Sequence, residues 1–296
     1  MEAQNALSQE QVITSTNFYH HVWEKLRENK VAIVSLLLIL LLIVVALFAP
    51  QIAPYDEGFQ DTAHVLSKPT NIHWLGTDEF GRDIFSRIIY GTRVSLSVGI
   101  IAELIAMTIG VLMGALAGYF GGWVDSLISR IIEIFGSFPK ILFAIVIMNI
   151  IGTGVINVFI AIGMVGWTGM ARMIRSQILQ LKENEYVEAA HSFGAGNTHI
   201  IFKHLIPNTL STIIVNMTMA IPQDIMYEAS LSFLGLGVQP PTSSWGQIIS
   251  VGRVYISTLP GYVLFPSIAL VLTVLAFNLL GDALRDALDP RLRRMD

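Results

Sequence analysis

The chain has 296 residues, of which 53% are hydrophobic and only 14% charged, and its mean hydropathy is +0.61. An ordinary soluble domain carries about 25% charged residues, and disorder needs low hydrophobicity with high net charge, so both classes are excluded. The net charge of -4 leaves no basic surface for nucleic acid, and the absence of cysteine removes disulfides, thiolate catalysis and Cys-ligated metal centres.

In chain order, a polar lead of 30 residues precedes Val31–Ala49, 19 residues without a charge. A helix of that length crosses a bilayer core of about 30 Å. The run also exceeds the roughly 7–15 apolar residues of a cleaved signal peptide, so a retained first span is expected. Pro50–Thr92 follows as a large loop. Val94–Gly118 is a second span, interrupted only by Glu103, and its Gly110, Gly114 and Gly118 recur at every fourth position. Small residues so spaced let another helix approach closely, from within the chain or from a partner. Ile141–Ala171 is uncharged but broken by Gly152-Thr153-Gly154. The piece before the break is too short to span, so the third helix is predicted to reach back through Pro139 and Lys140 to about Trp123. The fourth is expected over Val155–Arg172, the fifth over Thr209–Leu236, and the sixth from about Gly261 within the uncharged run Val254–Gly281.

Six spans put both termini on one side. With that side inside, Lys25, Arg27, Lys30, Arg172, Arg175, Lys182, Lys203, Arg285, Arg291, Arg293 and Arg294 are cytoplasmic. Lys68, Arg82, Arg87, Arg93 and Arg253 lie outside, and Arg130 and Lys140 belong to the third helix. The basic excess selects this orientation. The expected protein is all-α and polytopic, with six transmembrane helices in the cell membrane and both termini cytoplasmic. Residues 1–30 form a cytoplasmic segment, 31–92 the first helix and outer loop, 93–283 the main transmembrane domain with an inner loop at 176–208, and 284–296 a cytoplasmic tail.

Familiar catalytic chemistry is missing. A phosphate-binding P-loop needs Gly-Lys followed by Ser or Thr, and none of the six lysines follows a glycine. There is no His-Glu-x-x-His and no Gly-x-Ser-x-Gly motif. His199 and His204 share the inner loop without a nearby carboxylate, which makes a poor metal site. No catalytic residue, bound cofactor or metal is expected, which leaves a channel, a transporter subunit or a scaffold.

Two charged groups have open readings. In the outer loop Asp78, Glu79, Arg82, Asp83, Arg87 and Arg93 alternate in sign, and Gly76 and Gly81 break the local structure. This pattern suits a tight turn feeding an amphipathic helix. It is either a docking lip, with Asp78, Arg82, Asp83 and Arg87 as the contact residues, or a salt-bridged cap. Within the spans, charge is costly and functional by default. Asp224 and Glu228 share one face of the fifth helix, beside Pro222. They either line a translocation path or pair with Lys140, Arg130 or a partner chain. Glu103 is expected inside the bundle.

The inner loop carries the sharpest pattern. Helix formers fill 185–193, Gly194 and Gly196 can take positive φ and stop that helix, Asn197 can cap the next one, and Pro207-Asn208 ends the loop. Such a loop could lie on the membrane or seat in a partner. The spacing of Glu188-Ala189-Ala190, Gly194 and Pro207 resembles the EAA loop of ABC-importer permeases, with His204 and Ile206 standing where Ile and Leu are usual. His73-Trp-Leu-Gly-Thr-Asp78-Glu-Phe-Gly81-Arg82-Asp83, Leu231-Ser-Phe-Leu-Gly235-Leu-Gly237, Ser244-Trp245-Gly246 and Gly281-Asp282 through Asp289-Pro290-Arg291 resemble the C-type permease of dipeptide, oligopeptide and nickel importers.

The resemblance covers nearly the whole chain. It implies a type I ABC-importer permease fold and a subunit that forms half of a translocation path for peptides. Glu188, Ala189, Ala190, Gly194 and Pro207 would couple that path to two ATPase subunits. The implied partners are a second permease in a heterodimer, those ATPases, an extracytoplasmic substrate-binding protein and the lipid bilayer, with ATP and Mg held by the partner subunits. Nickel or a metal chelate is the alternative cargo. A proton-coupled secondary transporter working through Glu103, Asp224 and Glu228 is the alternative of another class.

Overall fold

The computed structural model describes residues 15–288, so residues 1–14 and the tail residues Asp289, Pro290, Arg291, Arg293 and Arg294 lie outside the described residues. Among the described residues there is no strand, only an isolated bridge between Thr77 and Asp83. The polar lead ends in α1 (Ser15–Glu28), and Asn29 starts the first span, α2 (Lys30–Leu47). The Asn29 side chain accepts hydrogen bonds from the Val31 and Ala32 amides at 3.0 and 3.1 Å. An apolar helix begins there because the first-turn amides have a partner. Val34, Leu37 and Leu41 are exposed, as befits a helix that faces lipid on most sides. A short α3 (Ala49–Ile52) carries Pro50 in its first turn.

The next helix, α4 (Ile84–Phe120), has 37 residues and begins ten residues before the predicted start. Charge at Arg87 and Arg93 hides this from a hydropathy reading, but Asp83 supplies the cap: its carboxylate accepts from the Ser86 amide at 2.8 Å. Arg93 turns back to α2, donating to the Ala46 and Leu47 carbonyls at its C-terminus, at 2.8 and 3.1 Å.

The prediction of one continuous third helix through Pro139 and Lys140 is corrected. It consists of α5 (Gly122–Gly136) and α6 (Lys140–Ile151), which meet at 90°. Pro139 takes an extended conformation (φ -58°, ψ 127°) at the junction, and that non-helical ψ breaks the hydrogen-bond ladder between the two pieces. Then follow α7 (Val155–Leu181), α8 (Glu185–Ser192), α9 (Asn197–Asn208, with a π turn at Ile200–Leu205), α10 (Leu210–Phe233), α11 (Trp245–Gly252) and α12 (Gly261–Leu288). The fourth and sixth spans thus exceed their predicted ends at Arg172 and Gly281. Four of these helices are long and apolar enough to cross a membrane, and the bent pairs α5–α6 and α9–α10 bring the number to six.

The most extensive helix contact joins α4 and α7. The glycine face predicted from sequence makes it, and the partner lies within the chain. A Cβ at Gly110 would meet Met170 Cβ at 2.7 Å, at Gly114 the Ala171 carbonyl at 2.5 Å, and at Gly118 Ile178 Cβ at 2.9 Å. From the other side, a Cβ at Gly163 would meet Ile105 at 2.8 Å. Residue numbers rise together along both helices, so they run parallel. A parallel pair needs a return crossing between them. The α5–α6 pair provides it: Ile128 and Ile132 pack beside Ala106 and Ala117, while Ala144 and Met148 pack beside Val98 and Ala102. The bent pair is therefore one broken span that traverses the bundle.

Gly114→Ala is expected to destabilise the protein by about 1–3 kcal/mol, the usual range for overpacking. Gly136, where an added Cβ meets nothing within 4 Å, is the control. Gly136→Ala should be neutral or stabilising by up to about 1 kcal/mol, since alanine is the better helix former. Thermal midpoints of the two variants in detergent measure the difference.

Candidate functional site

The inner loop is built on the ends of α4 and α7. Val187 is buried and packs with Ile174, Ile178, Ile200 and Leu205, which fixes one side of α8 to the bundle. Glu188 and Ala189 are exposed on the other side, and Ala190 is half-buried. Gly194 ends the helix with φ +79°, as predicted, and its N–H donates to the His191 carbonyl at 2.9 Å. Two expectations are corrected here. Gly196 has φ -71°, and Asn197 is the opening residue of α9 rather than its cap. The Asn197 side chain instead accepts from the Tyr119 hydroxyl at 2.9 Å, and that hydroxyl lies 3.1 Å from His191 Nε2. Tyr119, at the end of α4, thus ties both loop helices to a span, a role no local motif announces. Phe193 is 91% exposed just past α8, and Pro207 is exposed near the end of α9. Beside the loop, Arg175 grips Asp125 with two bonds of 2.5 and 2.6 Å, joining α7 to the first turn of α5.

Asp224 and Glu228 do share one face of α10, but neither faces open space. Glu228 is fully buried, and its Oε1 accepts from Ser232 and Ser244 at 2.6 Å each. Asp224 borders a void of only about 10 Å³ together with Lys140 and Tyr227. Both are therefore packed within the chain rather than lining an open path in this conformation. Pairing with Arg130 or Lys140 is not seen among the described residues. Arg130 pairs with Glu133 at 2.8 Å, and no ion pair joins Lys140 to Asp224 or Glu103. Asp224 Oδ2 and Glu228 Oε2 have no hydrogen-bond partner among the described residues, a costly state for a buried carboxyl. The open space nearby is a groove of about 440 Å³ between α7, α10 and α12, bordered by Met173, Asn216, Met219 and Arg285. The sequence spacing of Met173 and Met219 does not tell a groove wall from a core.

At the opposite end, residues 53–83 fold over the helices. Asp78, Arg82, Asp83 and Arg87 are all at most 3% exposed. This corrects their assignment as docking contacts: a protein seated on this face meets the residues around them, while these four side chains hold the segment down as a cap. Asp78 Oδ2 accepts from Arg82 Nε at 2.6 Å and from Arg87 Nη1 at 2.5 Å. Arg87 also donates to Ser243 Oγ at 3.0 Å, Gln247 Oε1 at 2.7 Å and the Tyr262 hydroxyl at 3.3 Å. The Tyr262 hydroxyl donates in turn to Glu79 at 2.8 Å. One guanidinium so gathers the cap, the loop after α10, α11 and α12. Next to it, Asp61 accepts from His64 at 2.8 Å. That bond chiefly holds the Asp61 carboxyl below the ordinary aspartate range, with His73 and the Ala63 amide adding to the effect.

Comparison with known proteins places this architecture. Residues 110–294 match the binding-protein-dependent transport system inner membrane component, and residues 17–69 match the N-terminal TM domain of oligopeptide transport permease C. The glutathione transport system permease protein GsiD of Shigella flexneri serotype 5b (strain 8401) is 46% identical over 276 residues, covering 93% of this chain and 91% of that protein. GsiD of Escherichia coli O6:K15:H31 (strain 536 / UPEC) is 44% identical over the same length. Among solved structures, a chain of the inward-facing MetNI methionine ABC transporter superposes with a TM-score of 0.54 at 20% identity, covering 68% of this chain and 96% of that one.

The fold is that of a type I ABC-importer permease, a membrane-embedded, multi-pass transport subunit and not an enzyme, with ATP hydrolysis left to separate subunits. The chain belongs to the family of binding-protein-dependent transport system inner membrane components. A permease of this kind works with a partner permease, ATPases and a binding protein.

Arg87→Ala strips a buried carboxylate of one partner and empties a polar pocket. It should cost about 3–5 kcal/mol, seen as a lower thermal midpoint and poor recovery from the membrane. Arg93→Ala, which removes two exposed bonds to helix carbonyls, should cost about 1 kcal/mol.

Proposed function

We propose that this chain forms half of the translocation path of an ATP-driven importer of small peptides, with glutathione-type tripeptides inside its range. The inner loop at 176–208 is its coupling element, seated on an ATPase. The carrying observation is α8 itself, whose one side is anchored through Val187 while Glu188, Ala189 and the nearly fully exposed Phe193 project outward. An eight-residue helix held from beneath and presenting small and acidic side chains is suited to a partner's socket. Gly194 sets the turn after it, and Pro207 ends the segment before α10. In this reading the termini and the loop are cytoplasmic, the cap is extracytoplasmic, and ATP and Mg belong to the partner subunits, with no cofactor in this chain. The second permease completes the path alongside the Met173–Asn216–Met219 groove, and Asp224 and Glu228 reach the path only when the bundle rearranges. The substrate class rests on the peptide and glutathione transporters that the chain matches.

The test uses the assembled importer. Ala190→Trp overpacks a gripped helix by about 1–3 kcal/mol, and each 1.4 kcal/mol is tenfold in binding; Glu188→Lys reverses a charge at the same joint. Both variants should still insert and pair with the second permease. They should lose ATPase subunits on purification, and uptake of labelled glutathione and dipeptides should fall about tenfold or more. ATPase retention with normal coupled uptake in both would remove the coupling assignment. Uptake of nickel but of no peptide by the wild-type importer would overturn the substrate class.

A further inference from the structure

The histidines look scattered along the chain, yet the cap brings two of them onto one carboxylate. Asp61, His64 and His73 each offer a ligand atom, and the three atoms lie within 4.8 Å of one another. His64 Nδ1 is 2.8 Å and His73 Nε2 3.4 Å from the same oxygen, Asp61 Oδ2. Four-coordinate zinc binds His nitrogen and carboxylate oxygen at about 2.0–2.2 Å, which sets neighbouring ligands about 3.3 Å apart. The two distances to Asp61 Oδ2 lie within about 0.5 Å of that spacing, and the third separation is at most 4.8 Å.

The surroundings fix the donors. His73 is 1% exposed, and its Nδ1 lies 3.0 Å from Asp83 Oδ1. His73 Nδ1 faces Asp83 and Nε2 faces Asp61, so the ring sits between two carboxylates and a metal cation can replace the proton that Nε2 shares with Asp61. A histidine whose far nitrogen is held by a carboxylate is also the usual support behind a metal ligand. The backbone under each ligand is pinned. Asp61 N–H donates to the Gly81 carbonyl at 3.0 Å, where a Cβ on Gly81 would collide with Asp61. His64 N–H donates to the Asp61 carbonyl at 3.0 Å, and the His64 carbonyl accepts from Thr77 Oγ1. His73 N–H donates to Thr70 Oγ1 at 3.0 Å, and the Tyr55 ring lies over the imidazole with centroids 5.0 Å apart. The His64 side chain is 44% exposed, which leaves an entry path and room for a fourth ligand from water.

We infer that Asp61, His64 and His73 form a binding site for a zinc-class divalent cation on the cap, with Asp83 as the residue that orients His73. The ion clamps residues 61–64 to the turn at His73 and so stiffens the segment that Arg87 anchors from beneath. It is a structural site of this chain, distinct from any transported cargo.

The detergent-purified importer, stripped with chelator and dialysed against zinc, tests this. Wild type should hold one more zinc per permease chain than His64→Ala or Asp61→Asn, with affinity lowered about tenfold or more in each variant. His199→Ala, which alters the inner-loop histidine pair, should leave the count unchanged. Zinc should raise the thermal midpoint of wild type but not of His64→Ala, an exposed substitution that leaves the buried cap in place. Cobalt in place of zinc should give the visible absorption of a four-coordinate ion in wild type only. Equal zinc counts and equal midpoint shifts in wild type and His64→Ala would overturn the site and leave the cluster as a hydrogen-bonded one held by protons. A count that falls in His199→Ala alone would overturn it too, by placing the zinc in the inner loop.

Discussion

The buried contact between Asp78 and Arg87 holds one end of this molecule together. Both side chains are shut off from water, a state that costs several kcal/mol per ion unless geometry and further hydrogen bonds compensate. Here they do: Asp78 takes two guanidinium donors and two backbone amides, and Arg87 reaches Ser243, Gln247 and Tyr262 as well. Those partners come from residues 78–87 and from residues 243–262, two stretches far apart in sequence. The segment 53–83 has almost no regular structure of its own, so this hub, with Asp83 capping α4, gives it a defined shape. The ends of α4, α11 and α12 are fixed by the same contact.

At the other end the constraint is close packing. Glycines let α4 and α7 run parallel at backbone distance, and a parallel pair obliges α5–α6 to cross back between them. The break at Pro139 makes that crossing oblique rather than straight. Because α4 and α7 end together, their last turns form the platform for the inner loop. Tyr119 reaches α8 and α9 from α4, Ile174 and Ile178 support Val187 from α7, and Arg175 locks the start of α5 beside them. A push on a loop so mounted would pass to two spans at once.

Much of this was legible in the residues. Uncharged length located the spans, the Gly110–Gly114–Gly118 spacing located the closest helix contact, and Gly194 marked a left-handed turn. What failed did so for physical reasons. Hydropathy stops at charge, so the first ten residues of α4 were lost behind Arg87, although Asp83 was a readable cap. Alternating charge in 78–87 looks the same whether solvated or buried. Only the folded chain shows that Asp78 and Arg87 face inward, and that Asp224 and Glu228 pack against serines and a small void. The grouping of Asp61, His64 and His73 follows from a loop closing on itself and has no local spacing to betray it.

In the proposed function α8 is the joint between this permease and an ATPase. The most direct measurement places a photo-crosslinking amino acid at Phe193, the most exposed aromatic of the loop, in the intact importer in its membrane. A crosslink to the ATPase subunit is expected. A crosslink to lipid alone or to the binding protein would contradict this assignment.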